Sequence, residues 1–142
     1  MYEQLPFWDG FFTSLGFKVK LSSESSRDLF FLGQHTIPSD TVCYPAKLMH
    51  GHIESLLNQK VDFIFYPSAS YNIDEGGSSN HFNCPVVAYY GELLKKNNPR
   101  LNQENFLDPF VDLNNLSRSA FSLEKALHKY GLSHHKILSS LK

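Results

Sequence analysis

The sequence predicts an α/β fold, a single layered domain in which a mainly parallel sheet is flanked by helices and the C-terminal third is helical. Three observations predict it. A helical stripe over residues 45–59 leads directly into Val61-Asp62-Phe63-Ile64-Phe65-Tyr66, an almost continuously apolar, β-prone run with the pattern of a strand buried on both faces. Helix, strand and loop signals alternate with short connections over the first hundred residues, as they do where crossover units build a parallel sheet. Beyond Leu101 no stretch has strand character of comparable strength, and helical periodicity takes over. The organisation read from this is an α/β body over residues 1–115 with residues 116–142 as a helical extension of the same domain.

Taken in order, Phe7, Trp8, Phe11, Phe12 and Leu15 fall at helical spacing, and Gly16 stands where a left-handed residue stops a helix, which predicts a helix over 6–15. Phe17-Lys18-Val19-Lys20-Leu21 alternates apolar and polar and predicts a strand before the turn and cap cluster at Ser22–Ser26. Arg27 to Gly33 predicts a short helix. Residues 45–59 carry Ala46, Met49, Ile53, Leu56 and Leu57 on one stripe, with Pro45 in the first turn, where a missing N–H costs little. Pro67 ends the 61–66 strand. Residues 68–83 form a loop containing Gly76-Gly77-Ser78-Ser79-Asn80, of a length that is usually functional or mobile. Val86-Val87-Ala88-Tyr89 predicts a second buried strand, residues 92–96 a helical turn, and Asn97-Asn98-Pro99 its end. Phe121, Leu123, Ala126, Leu127 and Tyr130 form a helical stripe stopped by Gly131, and Ser133 caps a last helix carrying Ile137, Leu138 and Leu141.

Composition narrows the function. With 42% hydrophobic and 19% charged residues over 142 positions, the chain can build one core and is too short for two ordinary domains. Thirteen Lys plus Arg against fourteen Asp plus Glu, without a basic run, supply no phosphate-neutralising surface, so nucleic acid is not an expected partner. No apolar run approaches a membrane span and Met1–Pro6 has no basic leader, so the chain reads as cytoplasmic with no membrane partner. No nucleophile elbow, phosphate loop, His-Glu-x-x-His pair or dinucleotide fingerprint occurs, and no catalytic residue can be named.

The candidates for chemistry are two cysteines and their neighbours. Cys43 stands just before a helix, where unpaired N–H groups and the positive dipole end favour anionic sulfur, and Cys84 precedes Pro85. Ser68 follows the buried strand at the carboxyl edge where α/β sheets bind ligands. Two cysteines make no disulfide framework, and from their spacing alone they read more readily as small buried hydrophobes than as a ligand pair. Lys47 and His50 follow Cys43 at helical spacings of 4 and 3 and could flank a ligand over the helix start. His50 and His52 are two apart, so they face different sides of a helix and make a poor metal pair. His81, with Asn83, precedes Cys84 and could bond its sulfur or a substrate carbonyl, although such loop residues more often shape turns. A zinc site from both cysteines and two histidines would require separated loops to converge tetrahedrally.

Phe7-Trp8-x-x-Phe11-Phe12-x-x-Leu15-Gly16-Phe17, Cys43-Tyr44-Pro45-Ala46-Lys47-Leu48-x-His50-Gly51-His52, Val61-Asp62-Phe63-Ile64-Phe65-Tyr66-Pro67 and Asn80-His81-Phe82-Asn83-Cys84-Pro85-Val86-Val87 together resemble a domain of unknown function. That domain occurs in the long bacterial activase-related proteins of the 2-hydroxyacyl-CoA dehydratase group, and the match runs from residue 2 to about residue 110. The resemblance implies one piece of a longer polypeptide, with an ATPase activase module and further domains as partners and acyl-CoA as a possible ligand. It also implies a dehydratase-like lyase context and a [4Fe–4S] cluster, with Cys43, Cys84 and Ser68 at the metal-ligand positions; Lys47, His50 and His81, candidates by their spacing from the two cysteines, would then border the cofactor. Many members have a cysteine where this chain has Ser68, whose hydroxyl is a far poorer iron ligand than thiolate. The isolated chain is therefore expected to be metal-free. Either a third ligand comes from another domain, or the fold serves as a metal-free scaffold or acyl-CoA-site module.

Overall fold

The computed structural model describes residues 2–74, 76, 77 and 79–142; Ser78 of the glycine–serine loop lies outside the described residues. Among the described residues there are six α-helices, α1 (Leu5–Ser14), α2 (Arg27–Gly33), α3 (Tyr44–Asn58), α4 (Pro85–Asn97), α5 (Leu116–Ala126) and α6 (His134–Ser140). Four two-residue strands accompany them, β1 (Ile64–Phe65), β2 (Ser68–Ala69), β3 (Phe106–Leu107) and β4 (Phe110–Val111). The class is mixed α/β with parallel pairing and a helical C-terminal portion.

The four strands are two extended runs. Ile64 pairs with Phe106, Phe65 with Leu107, Ser68 with Phe110 and Ala69 with Val111, all parallel and all at the same offset of 42 residues. That offset sets Pro67 opposite Pro109, and Pro109 has no N–H to give to the Tyr66 carbonyl that faces it, so regular pairing stops there and resumes beyond. Tyr66 N donates to Leu107 O (2.8 Å) and Ser68 N to Pro109 O (3.0 Å), which carries the ribbon across the gap.

Side chains alternate across this ribbon with the period of two expected of a pleat. Ile64, Tyr66 and Phe106 enter one core with Ala46 and Ile53 of α3 and Tyr90 and Leu94 of α4. Phe63, Phe65, Leu107 and Val111 enter a second core with Trp8, Phe11 and Phe12 of α1, Ala120 and Leu123 of α5 and Ile137 of α6. The result is three layers, helices over both faces of a narrow ribbon. On α3 Ile53 is buried and Met49 is partly buried against the same core, as the stripe requires.

Several elements differ from the sequence reading. Val86–Tyr89 is not a strand: it forms the first turns of α4, with Cys84 at the N-cap and Pro85 at the first helical position. The start signal and the buried face Ala88, Gly91 and Leu94, spaced by three, outweigh the β preference of two adjacent valines. Residues 17–21 make no ladder. Two short strands occur beyond Leu101, where none was expected, because Asp108-Pro109 divides the apolar pairs Phe106-Leu107 and Phe110-Val111 below the length that shows a period. The 61–66 strand is hydrogen-bonded along one edge only, so it is central in the layering and not in a wide sheet.

Because Ile64 is 4% exposed and meets both α3 and α4, Ile64→Ala should cost about 2–5 kcal/mol through lost burial and a residual cavity. Denaturant unfolding measures it, and a loss below about 1 kcal/mol would contradict the packing.

Candidate functional site

Both cysteines are exposed N-cap residues. Cys43 has extended backbone (φ −63°, ψ 155°), with Pro45 in the first turn, and its carbonyl accepts Lys47 N (3.1 Å). Cys84 has φ −53° and ψ 140°, and its carbonyl accepts Val87 N (2.8 Å) and Ala88 N (3.1 Å). Neither side chain caps its own helix. Each helix therefore begins with donors left free beside a sulfur, where Ser, Thr, Asp or Asn would ordinarily have taken one.

The two helices are held parallel by buried polar bridges. His50 Nε2 lies 2.9 Å from Tyr90 Oη, and Asn98 Nδ2 donates to Glu54 Oε1 at 2.6 Å. The residue numbers rise together on α3 and α4 along these bridges, so the helices point the same way. From Cys43 to His50 is about 10 Å along an α-helix and from Cys84 to Tyr90 about 9 Å, so the two N-caps stand at nearly the same level. Cys43 and Cys84 share one end of the pair.

The direction of each proton in the bridge follows by elimination. Thr36 Oγ1 donates to Gly33 O (2.9 Å), which leaves it to accept from His50 Nδ1 (2.7 Å). His50 Nε2 is then the acceptor for the Tyr90 O–H. This chain needs a neutral imidazole, and burial, with His35 adding to it, pushes the His50 pKa down to about 4. Burial raises the Tyr90 pKa, and the nearby Cys43 thiol adds to the rise; Tyr66 is pushed up to about 12 by burial and by Tyr90. At neutral pH, Tyr90, Tyr66 and His50 all stay uncharged beneath the cysteine end. At the far end, Glu54 is anchored by Asn98 and by Arg100 Nη1 (2.6 Å), so its buried carboxylate is paired and hydrogen-bonded.

His-Gly-His divides its labour as the spacing predicted. His50 faces inward, while His52 takes Ser22 Oγ at Nδ1 (2.8 Å) and Ser25 Oγ at Nε2 (3.0 Å), pinning the segment before α2. Gly51 lies so close to α2 that a Cβ there would collide with the Leu29 carbonyl, and one on Gly33 would strike the Gly51 backbone.

The remaining candidates surround the second cysteine. Residues 70–72 meet residues 81–83 through an antiparallel bridge between Tyr71 and Phe82, and Asn83 bonds Ser70 O through its N–H (2.9 Å) and Ala69 O through Nδ2 (3.0 Å). These bonds fix Cys84 beside the carboxyl end of β2. Ser68 lies in β2 and is 3% exposed. His81 faces Asp74 (Nε2 to Oδ1, 3.4 Å), and Lys47, at the first turn of α3, faces Asp40 (3.8 Å). The structure thus places Cys43 and Lys47 at the start of α3, Cys84 at the start of α4 and Ser68 within β2, with His50 bridging α3 to Tyr90 of α4. Tyr90 and Thr36 were missed from the sequence. Reading residues 85–97 as a helix would have set Tyr90 on the buried face beside Leu94.

A family model described as the CoA enzyme activase uncharacterised domain matches residues 1–142. The chain belongs to that family. No curated protein and no solved structure matches it. Among the described residues, no helix of this activase-related domain is long and apolar enough to cross a membrane.

The His50 shift has a sign that can be checked. Below about pH 6.5 the unfolded chain takes up a proton at this position, whereas the folded chain does not until about pH 4, so stability rises with pH between these values. Unfolding free energies should fall by about 3 kcal/mol over that window relative to His50→Phe. Parallel pH profiles for the two proteins would contradict the buried neutral imidazole.

Proposed function

We propose that this domain is an iron–sulfur component of a 2-hydroxyacyl-CoA dehydratase or activase-type system within a longer polypeptide, with an ATP-driven activase module as electron donor. The observation that carries the reading is the pairing of Cys43 and Cys84 at the N-caps of two parallel helices, exposed and free of capping duty. The donor set fits. Thiolates are the ligands such clusters take, free helix N–H groups suit sulfur that carries negative charge, and a partly exposed end leaves room for ligands from outside. A bound cluster would supply one-electron storage close to an acyl-CoA site.

The chain's own residues do the rest. Tyr90 and His50 hold the two helix starts level and remain neutral, so no buried cation or phenolate competes with the charge of a cluster. Asn83 ties Cys84 to the sheet edge through Ala69 and Ser70. With two cysteines in 142 residues, the chain provides two thiolates, and the remaining ligands come from another domain. The burial of Ser68 within β2 favours a second reading, in which the fold is kept as a metal-free scaffold or acyl-CoA-site module.

Anaerobic reconstitution with iron and sulfide separates the two, read by iron content and thiolate-to-iron charge-transfer absorption. The full-length protein should retain iron, Cys43→Ser and Cys84→Ser should each lose most of it, and Ser68→Cys should raise retention. A full-length protein that holds no iron, or cysteine variants that hold as much as the parent, would favour the scaffold.

A further inference from the structure

Between α1, α3 and the outer edge of β1 lies a cavity of about 650 Å³, walled by Trp8, Phe12, Ile53 and Phe65 and bounded on its outer side by Lys18–Leu21. Its two long walls are extended backbones with unmade hydrogen bonds. Ile64 and Tyr66 donate to Asn105 and Leu107, so in a parallel strand the main-chain groups of Phe63 and Phe65 point the other way, into the cavity. They have no partner there, and neither do the main-chain groups of Lys18, Val19 and Lys20 opposite. Residues 17–21 carry the alternation of a strand and the lysines face outward, yet no strand lies beside them.

The wall directions agree with one another. Trp8 and Phe12 of α1 stack on Phe65 (4.9 and 4.8 Å between ring centroids), and Phe17 stacks on Phe63 (5.4 Å). Helix α1 therefore runs antiparallel to β1 and starts at the strand's carboxyl end. From Phe17 the chain turns back toward that end, since Leu21 O accepts from Gln59 just beyond α3, whereas Ser22, Ser23 and Ser25 bond His52 and Ser55, all nearer the start of α3. Residues 17–21 thus run parallel to β1. Gln4 and Leu5, at the start of α1, line the same cavity at its carboxyl edge.

We propose that this cavity is the slot for one further parallel β-strand, an extended apolar segment of polypeptide joined to the amino end of residues 1–142 and leading into α1. Seated there it would pair with Phe63 and Phe65 on one side and with residues 18–21 on the other. It would bury its side chains alternately against α1 and α3 and enter α1 through Gln4 as the first half of a crossover unit. Main-chain pairing on both sides is what distinguishes a peptide strand from a small apolar ligand, which would fill the volume and leave these groups unmade. The inference stands apart from the cysteine reading, because it concerns the opposite edge of the ribbon.

The test uses the 142-residue chain with a six-residue synthetic peptide of alternating valine and threonine, and a second protein in which those six residues precede Met1. Amide hydrogen exchange reports on the walls, and Trp8, the chain's one tryptophan, reports filling by fluorescence. The extended protein should exchange at least tenfold more slowly at Phe65 and at alternate amides of 18–21 than the parent, and saturating peptide should reproduce the pattern in the parent. Free exchange at both walls in both formats would overturn the proposal. So would walls already protected in the parent, which would mean that they pair directly. A Trp8 fluorescence shift with decanoate, without amide protection by either peptide format, would assign the cavity to a small apolar ligand instead.

Discussion

The hydrogen bond between His50 and Tyr90 is the constraint on which the arrangement depends. It joins the helix before the ribbon's first run to the helix between its two runs, and with the Glu54–Asn98 bridge it fixes their relative direction and level. A polar link inside an apolar layer is costly unless each member is satisfied. Here the chain closes fully, from Tyr90 through His50 and Thr36 to the Gly33 carbonyl, and so ties α2 to the same structure. An apolar pair could slide by a turn, whereas a directional bond at this depth specifies one register.

The placement of the two cysteines follows from that register. A cysteine at an N-cap is an unusual use of the position, because the side chain leaves the first N–H groups unanswered. Two such cysteines on separate helices would mean little if the helices began at different heights. The bridge sets them level, and the pairing of Tyr71 with Phe82 and of Asn83 with Ala69 sets Cys84 against the end of β2. Gly33 and Gly51 let the backbones of α2 and α3 pack closely beside His50, whose ring is held by Thr36 and Tyr90.

Much of this was legible in the sequence, and the gaps have physical causes. Helices α1, α2, α3, α5 and α6 declare themselves through stripes and stops such as Gly16, Gly131 and Ser133. The layered α/β class follows from residues 45–66. The second run of the ribbon was hidden, because Pro109 splits its apolar residues into pairs, and only the 42-residue register shows that it answers Pro67. Val86-Val87 misled by composition, and with that helix read as a strand Tyr90 had no reason to be set beside His50. Of the site, the cysteines and their helix starts were readable from Pro45 and Pro85; their shared level was not, since it rests on contacts 40 and 44 residues apart in the chain.

The central claim is that Cys43 and Cys84 occupy one end of a parallel helix pair. The chain contains no other cysteine, so a nitroxide label on each thiol measures their separation directly by electron dipolar coupling. Helices packed about 8–10 Å apart with level N-caps predict label separations of roughly 10–20 Å, with the distribution broadening in Tyr90→Phe. A separation beyond about 30 Å in the parent chain would contradict the account.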